Sequence, residues 1–305
     1  MEVLSGPAVS VFLANSFTAD QASHPGVEPA RLSASERGDE MPEFKLGKKP
    51  AAPRSTDFSY TEFAAAVQLP TVPSRFGHGT AYADWKMLGN DHYGDCVWAG
   101  AAHEHMLLNK VVHQTDVSFD DSTVLGDYAA ATGFDPNDPS TDNGTDVHDA
   151  LSYRRHIGIA DATGTRHLIG AYVSLDPKNW DHLEQAAYIF GAVGIGFEFP
   201  ASAMDQFNAG EPWDYVAGSK IEGGHYVPVV GSLHAPDQAS AITWGKRQVF
   251  TRDFYEHYND EAWAYITPEQ LRSDGTGLHG FDMQKLNSYL GTLRRQPALT
   301  GTPPG

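Results

Sequence analysis

Residues 89–105 read GNDHYGDCVWAGAAHEH and contain Cys96, the one cysteine among 305 residues. A thiol attacks as thiolate, so a nucleophilic cysteine needs a lowered pKa, a base for its proton and donors for the developing oxyanion. The run from Cys96 to about Val112 is rich in Ala, Leu and Met and free of proline, which predicts a helix with Cys96 at its N-terminus. Unpaired N–H groups and the helix dipole favour an anion there. Gly94 lets a substrate backbone approach closely, and Asn90 can aim an amide donor at the oxyanion that the Cys96 N–H meets. Among 14 histidines, His225 has the setting of the base. Gly223 and Gly224 open the approach to its ring, and the apolar run YVPVVG predicts a strand that holds it.

The elements that must position these groups divide the chain. Short helices are predicted over 60–69 and 123–132, and another over 146–156, where Val147, Ala150 and Leu151 share a face. FDPNDPSTDNGTD is a loop by turn chemistry. The second half reads mainly as strands: HLIGAYVSL, AVGIGFEF, HYVPVVGSL, SAITWG and AWAYIT, with the amphipathic helix WDHLEQAAYIF among them. Thr267-Pro268-Glu269-Gln270 has the form of a capping box, and a last helix is expected over 282–293. The fold class is α+β, a helical first half packed against an antiparallel sheet. Residues 1–56 read as a flexible N-terminal arm, 57–273 as the folded domain and 274–305 as a C-terminal helix and tail.

A formal charge of −18 excludes a nucleic-acid partner, whose phosphates require clustered Lys and Arg, and disfavours anionic membrane surfaces. One cysteine permits no internal disulfide. No apolar run reaches about 18 residues, and the mildly apolar N-terminus lacks a basic flank. The expected location is the cytoplasm or a phage particle. His103 and His105 lie two apart and make a poor metal pair on a helix. The aspartates of 135–146 lack the glycine and closing glutamate of a calcium loop. No metal and no cofactor is expected.

Gly94-Asp95-Cys96 opening a helix, followed by Gly-Gly-His heading a strand, resembles the papain-like cysteine peptidases. The separation from Cys96 to His225, 225 − 96 = 129 residues, matches the roughly 130 of papain-type enzymes. The LGND and YGDC segments are similar to those of bacterial and phage proteins of that class. The resemblance spans about residues 57–270 and implies a catalytic domain with its cleft between the two halves. It implies Cys96 as nucleophile, His225 as base and Asn90, in place of the family's glutamine, at the oxyanion. Gly94, Asp95, Trp98, Gly223, Gly224 and Trp244 are then expected at the substrate, a peptide or protein. Ile242 occupies the family's imidazole-orienting position before Trp244-Gly245. The Thr243 hydroxyl is the nearest substitute, and a carboxylate such as Asp253 the other. Hydrolysis of an amide through a thioester is the expected reaction. A binding or structural protein without turnover, and acyl transfer of the transglutaminase type, are the alternatives. The sequence leaves the oligomeric state open.

Overall fold

A computed structural model of the chain describes residues 44–52, 58–232 and 237–282, all within one compact unit. In chain order the elements are α1 (Tyr60–Ala66), β1 (Phe76–Gly77), α2 (Cys96–Leu108), α3 (Asp121–Thr132), α4 (Val147–His156), β2 (Ile159–Ala160), β3 (Arg166–His167), β4 (Ala171–Leu175), α5 (Trp180–Phe190), β5 (Val193–Pro200), α6 (Ala201–Ala209), β6 (Ile221–Ser232), β7 (Gln238–Thr243), β8 (Lys246–Thr251), α7 (Arg252–Tyr258) and β9 (Asn259–Ile266). The helices start where the sequence provides caps. Asp120, Asp146 and Asn179 each accept a hydrogen bond from the backbone N–H three residues on, which satisfies an otherwise orphaned donor.

The sheet runs β4-β9-β5-β6-β7-β8, with β1 added beside β6, and its pairs are antiparallel. One core packs α1 and α5 with Val193, Ile195, Val227 and Val229 of the sheet. The other packs α2, α3 and α4 with Tyr226, Val230, Ile242, Trp263 and Tyr265. The period-2 alternation of strands sends neighbouring residues of β6 into opposite cores. All thirteen residues of α2 are buried, so its polar members need partners. Glu104 takes Arg154 of α4 at 2.6 Å and the Tyr226 hydroxyl at 2.9 Å. That buried pair pins α2 to α4 and to β6.

Several sequence expectations change. The strand expected over 167–175 is two pieces. β3 pairs with β2, β4 pairs with β9, and at the break Ile169 N–H bonds Arg154 O. Helices α6 and α7 and strand β8 were not expected, because each is short and polar enough to pass for loop. The capping box at Thr267 forms but caps only a three-residue 3-10 turn, since Leu271 is already extended. The helix expected over 282–293 and the tail lie almost wholly outside the described residues. Residues 47–49, in the stretch read as a flexible arm, pair with Gly224 and Thr145 through backbone hydrogen bonds. No helix among the described residues is long and apolar enough to cross a membrane.

Candidate active site

Cys96 is the first residue of α2. The residue is 1% exposed, and its sulfur meets two backbone donors, the N–H of Tyr226 and that of Gly47. The Tyr226 N–H belongs to the peptide that joins it to His225, so β6 brings the sulfur to the base-bearing stretch. Across that peptide, His225 is fully buried. Its Nε2 lies 2.7 Å from Thr243 Oγ1, whereas Nδ1 has no hydrogen-bond partner among the described residues. A hydroxyl that accepts from Nε2–H leaves the Nδ1 lone pair free, but the Cys96 thiol is not within hydrogen-bond reach of it, because His225 packs in the core of Trp244 and Phe197 and Cys96 in that of Tyr226. Asp253, the carboxylate alternative, is exposed on the first turn of α7.

Trp244 covers the imidazole, the rings stacked with centroids 4.5 Å apart and planes at 17°. It reaches that position through backbone strain. Thr243 and Lys246 close the β7–β8 hairpin with Trp244 at φ 45° and Gly245 at φ 70°, the left-handed pair of a type I′ turn. An aromatic residue accepts such a φ at a cost of about 1 kcal/mol, here offset by its packing between two rings. Phe44 stacks on the other face of Trp244 at 4.9 Å.

Phe44 begins an arm, residues 44–50, that runs through the site. Lys48 N–H donates to Gly224 O at 3.0 Å, Lys49 N–H to Thr145 O at 2.9 Å, and Thr145 N–H to Gly47 O at 2.7 Å. Four backbones meet here without side chains between them. A Cβ on Gly47 would overlap the Gly94 carbonyl, and one on Gly144, itself at φ 66°, would overlap Gly47 O. One on Gly224 would overlap Lys48 O. The Lys48 side chain is buried, with Nζ 2.7 Å from Asp260 Oδ2 and 3.2 Å from Glu261 Oε1. Asp142, from the loop 135–146, accepts the Gly94 N–H at 3.1 Å and the Tyr128 hydroxyl at 2.6 Å. Tyr128 in turn accepts the Gly144 N–H. The loop's carboxylate thus braces the glycine before Cys96.

The electrostatics follow from this closure. Burial pushes the Cys96 thiol up to about 12, against the two backbone donors and Lys48. Burial alone pushes His225 down to about 3. The thiolate near neutrality that the helix N-terminus suggests is therefore not held in this closed form. Both groups are neutral because burial withholds the water that would solvate a charge.

Other expected site residues take different places. Trp98 is buried, and its indole N–H donates to Thr145 Oγ1 at 2.9 Å. It supports the residue that pairs with the arm and does not face the cleft. Asp95 occupies the N-cap position without capping. Its carboxyl is fully buried, burial pushes it well above the usual range although the Asn90 side chain lies nearby, and neither oxygen makes a hydrogen bond among the described residues. It is a neutral interior group, not a surface for substrate. Asn90 donates one amide hydrogen to Tyr93 O at 3.2 Å. Gly223 and Gly224 do face the arm, against Leu46 and Lys48. Sequence reasoning missed Thr145, Asp260, Glu261 and the arm itself.

No family model and no curated protein matches the chain. Among solved structures it is similar to xylellain, a cysteine protease from Xylella fastidiosa. The identity is 15%, over 73% of this chain and 96% of that one, with a TM-score of 0.53. It is also similar to procathepsin B from Trypanosoma congolense, at 12% identity over 73% of this chain and 86% of that one, TM-score 0.49. The α+β fold is papain-like.

Proposed function

We propose that this chain of papain-like fold is a thiol hydrolase, cleaving an amide bond of a peptide or protein through a thioester on Cys96, with residues 44–50 holding it closed. The observation that carries the reading is the unpartnered Nδ1 of His225, its other nitrogen bonded to Thr243, beside a peptide whose N–H reaches the Cys96 sulfur. When the arm lifts, water enters and the cost of charging the pair falls. Once the imidazole turns to bring Nδ1 within reach of the sulfur, the thiol proton passes to His225 Nδ1 and the sulfur adds to the substrate carbonyl carbon. The Cys96 N–H and the second amide hydrogen of Asn90 receive the oxyanion. His225 returns its proton to the leaving amine, which departs as the thioester forms. Water, deprotonated by His225, then adds to the thioester and expels the Cys96 sulfur, which takes the proton back.

The arm also marks a specificity pocket. The place filled by Lys48 ends on two carboxylates, Asp260 and Glu261, and a substrate that displaces the arm is expected to put a Lys or Arg there. The test is peptide turnover followed by mass spectrometry, with the arm loosened by Gly47→Ala. Cleavage of peptides with basic residues, an acyl adduct on Cys96 and loss of both in Cys96→Ala are expected. Absence of any adduct or cleavage from the loosened chain would overturn the reading, and incorporation of an added amine in place of water would reassign it as acyl transfer.

A further inference from the structure

At the far end of α2 from Cys96, three side chains from separate parts of the chain converge. These are His105 of α2, His167 of β3 and Glu269 of the turn after β9. We infer that they form a binding site for a divalent metal ion of the zinc class, one that nothing in the thiol chemistry requires. One ligand atom from each lies within 4.8 Å of the others. Glu269 Oε1 is 2.9 Å from His167 Nδ1 and 3.4 Å from His105 Nδ1. A tetrahedral ion with bonds of about 2.0–2.1 Å to nitrogen and oxygen spaces its ligands by about 3.3 Å, so small shifts admit it.

The unsatisfied atoms point independently to a ligand. The His105 side chain is 1% exposed, yet neither ring nitrogen makes a hydrogen bond among the described residues. Its approach to Glu269 misses hydrogen-bond geometry. Glu269 Oε2 is likewise buried and without a partner. Burying such groups unpaired is costly. An ion on His105 Nδ1 and the Glu269 carboxylate relieves that cost.

A second layer fits as well. His167 Nε2 lies 3.2 Å from Asp161 Oδ2, and Asp161 Oδ1 is held by the N–H groups of Thr163 and Thr165. A carboxylate on the outer nitrogen fixes the tautomer and leaves Nδ1 to coordinate, the arrangement that supports most metal-binding histidines. The charges agree. With both imidazoles neutral, as ligation of an ion requires, the two carboxylates would leave two negative charges to balance it, while Arg154, a buried cation of this region, is committed to Glu104. The site is also reachable, since the His167 and Glu269 side chains retain 10% and 14% exposure.

His103, the sequence neighbour, is excluded because its Nε2 bonds the carbonyls of Trp85 and Lys86. Nine residues separate Cys96 from His105, about 13 Å along a helix. The ion would therefore tie α2 to β3 and to the chain after β9, and would leave the fourth position to water.

The test uses the full chain carrying Cys96→Ala, so that the thiol cannot bind metal. Zn2+ is measured by elemental mass spectrometry after dialysis, and Co2+ is titrated while its visible ligand-field bands are followed. Expected are about one ion per chain, intense tetrahedral Co2+ bands, and a melting temperature lowered by chelator. Glu269→Gln and His167→Gln should abolish binding, Asp161→Asn should weaken it about 10–100-fold, and His113→Ala should leave it unchanged. A folded Cys96→Ala chain that binds neither Zn2+ nor Co2+ overturns the inference whatever the ligand variants do. Unchanged binding by a folded Glu269→Gln does the same.

Discussion

Replacing Gly47 by alanine is expected to lift the arm from the cleft and expose the Cys96 thiol. The added Cβ would fall well under the 3.0 Å that real Cβ contacts respect, against the backbone of Gly94, so the arm must move. That backbone cannot yield easily, because Asp142 holds the Gly94 N–H with both carboxylate oxygens. Movement breaks the three backbone hydrogen bonds that join the arm to Gly224 and Thr145. At a net contribution of about 1 kcal/mol each, the open form gains about 3 kcal/mol, a population change of about a hundredfold. The assay is alkylation by iodoacetamide at pH 7 followed by intact mass. It is unambiguous because the chain has one cysteine. The closed thiol resists twice over, through lack of access and through a pKa raised to about 12. The variant should label about a hundred times faster than the wild type, with the fold intact by circular dichroism. Wild-type labelling as fast as that of urea-unfolded protein, or a variant no faster than wild type, would refute the reasoning.

Thr243→Val removes the one partner of His225 Nε2 among the described residues and should lower turnover about a hundredfold. Thr243→Ser should restore most of it, and equal turnover in the valine variant would remove Thr243 from the mechanism. On acidification, burial holds the His225 pKa at about 3 and that of His103 at about 4, against 6.5 for a free histidine. Between pH 6.5 and those values the unfolded chain binds more protons than the folded one, so these groups make stability fall as pH falls. The urea midpoint should drop from pH 6.5 toward pH 4, less steeply in His103→Gln; equal slopes would contradict the assignment. Arg154→Met leaves Glu104 buried without its cation and should cost about 3–5 kcal/mol in urea unfolding. The double variant with Glu104→Gln should recover part of that loss, and additive losses would show that the pair is not coupled.

The proposed nucleophile and base could be singled out because each is announced locally. Cys96 stands at the head of a proline-free helix, and His225 follows two glycines and leads an apolar strand. Thr243 was reachable only through the Trp244-Gly245 pair that follows it. The arm was not legible. FKLGKKP has no period and three lysines, and it fits because Gly94, Gly144 and Gly224, from three distant stretches, leave room for a backbone. The same reason hid the roles of Trp98 and Thr145, which act through each other across α2 and the loop before α4. The cluster around His105 escaped because its partners come from β3 and from the turn after β9, while the sequence offers only His103 nearby. The elements missed, α6, β8 and α7, are stabilised by tertiary packing more than by their own pattern.

Trp244 lies between two flat partners, His225 on one side and Phe44 on the other. Departure of Phe44 wets one face of an indole that is otherwise dry, and indole emission moves to longer wavelength as its surroundings become polar. The latch thus carries its own optical gauge: opening of the groove can be timed by fluorescence after rapid mixing, without a label and before any bond is cut.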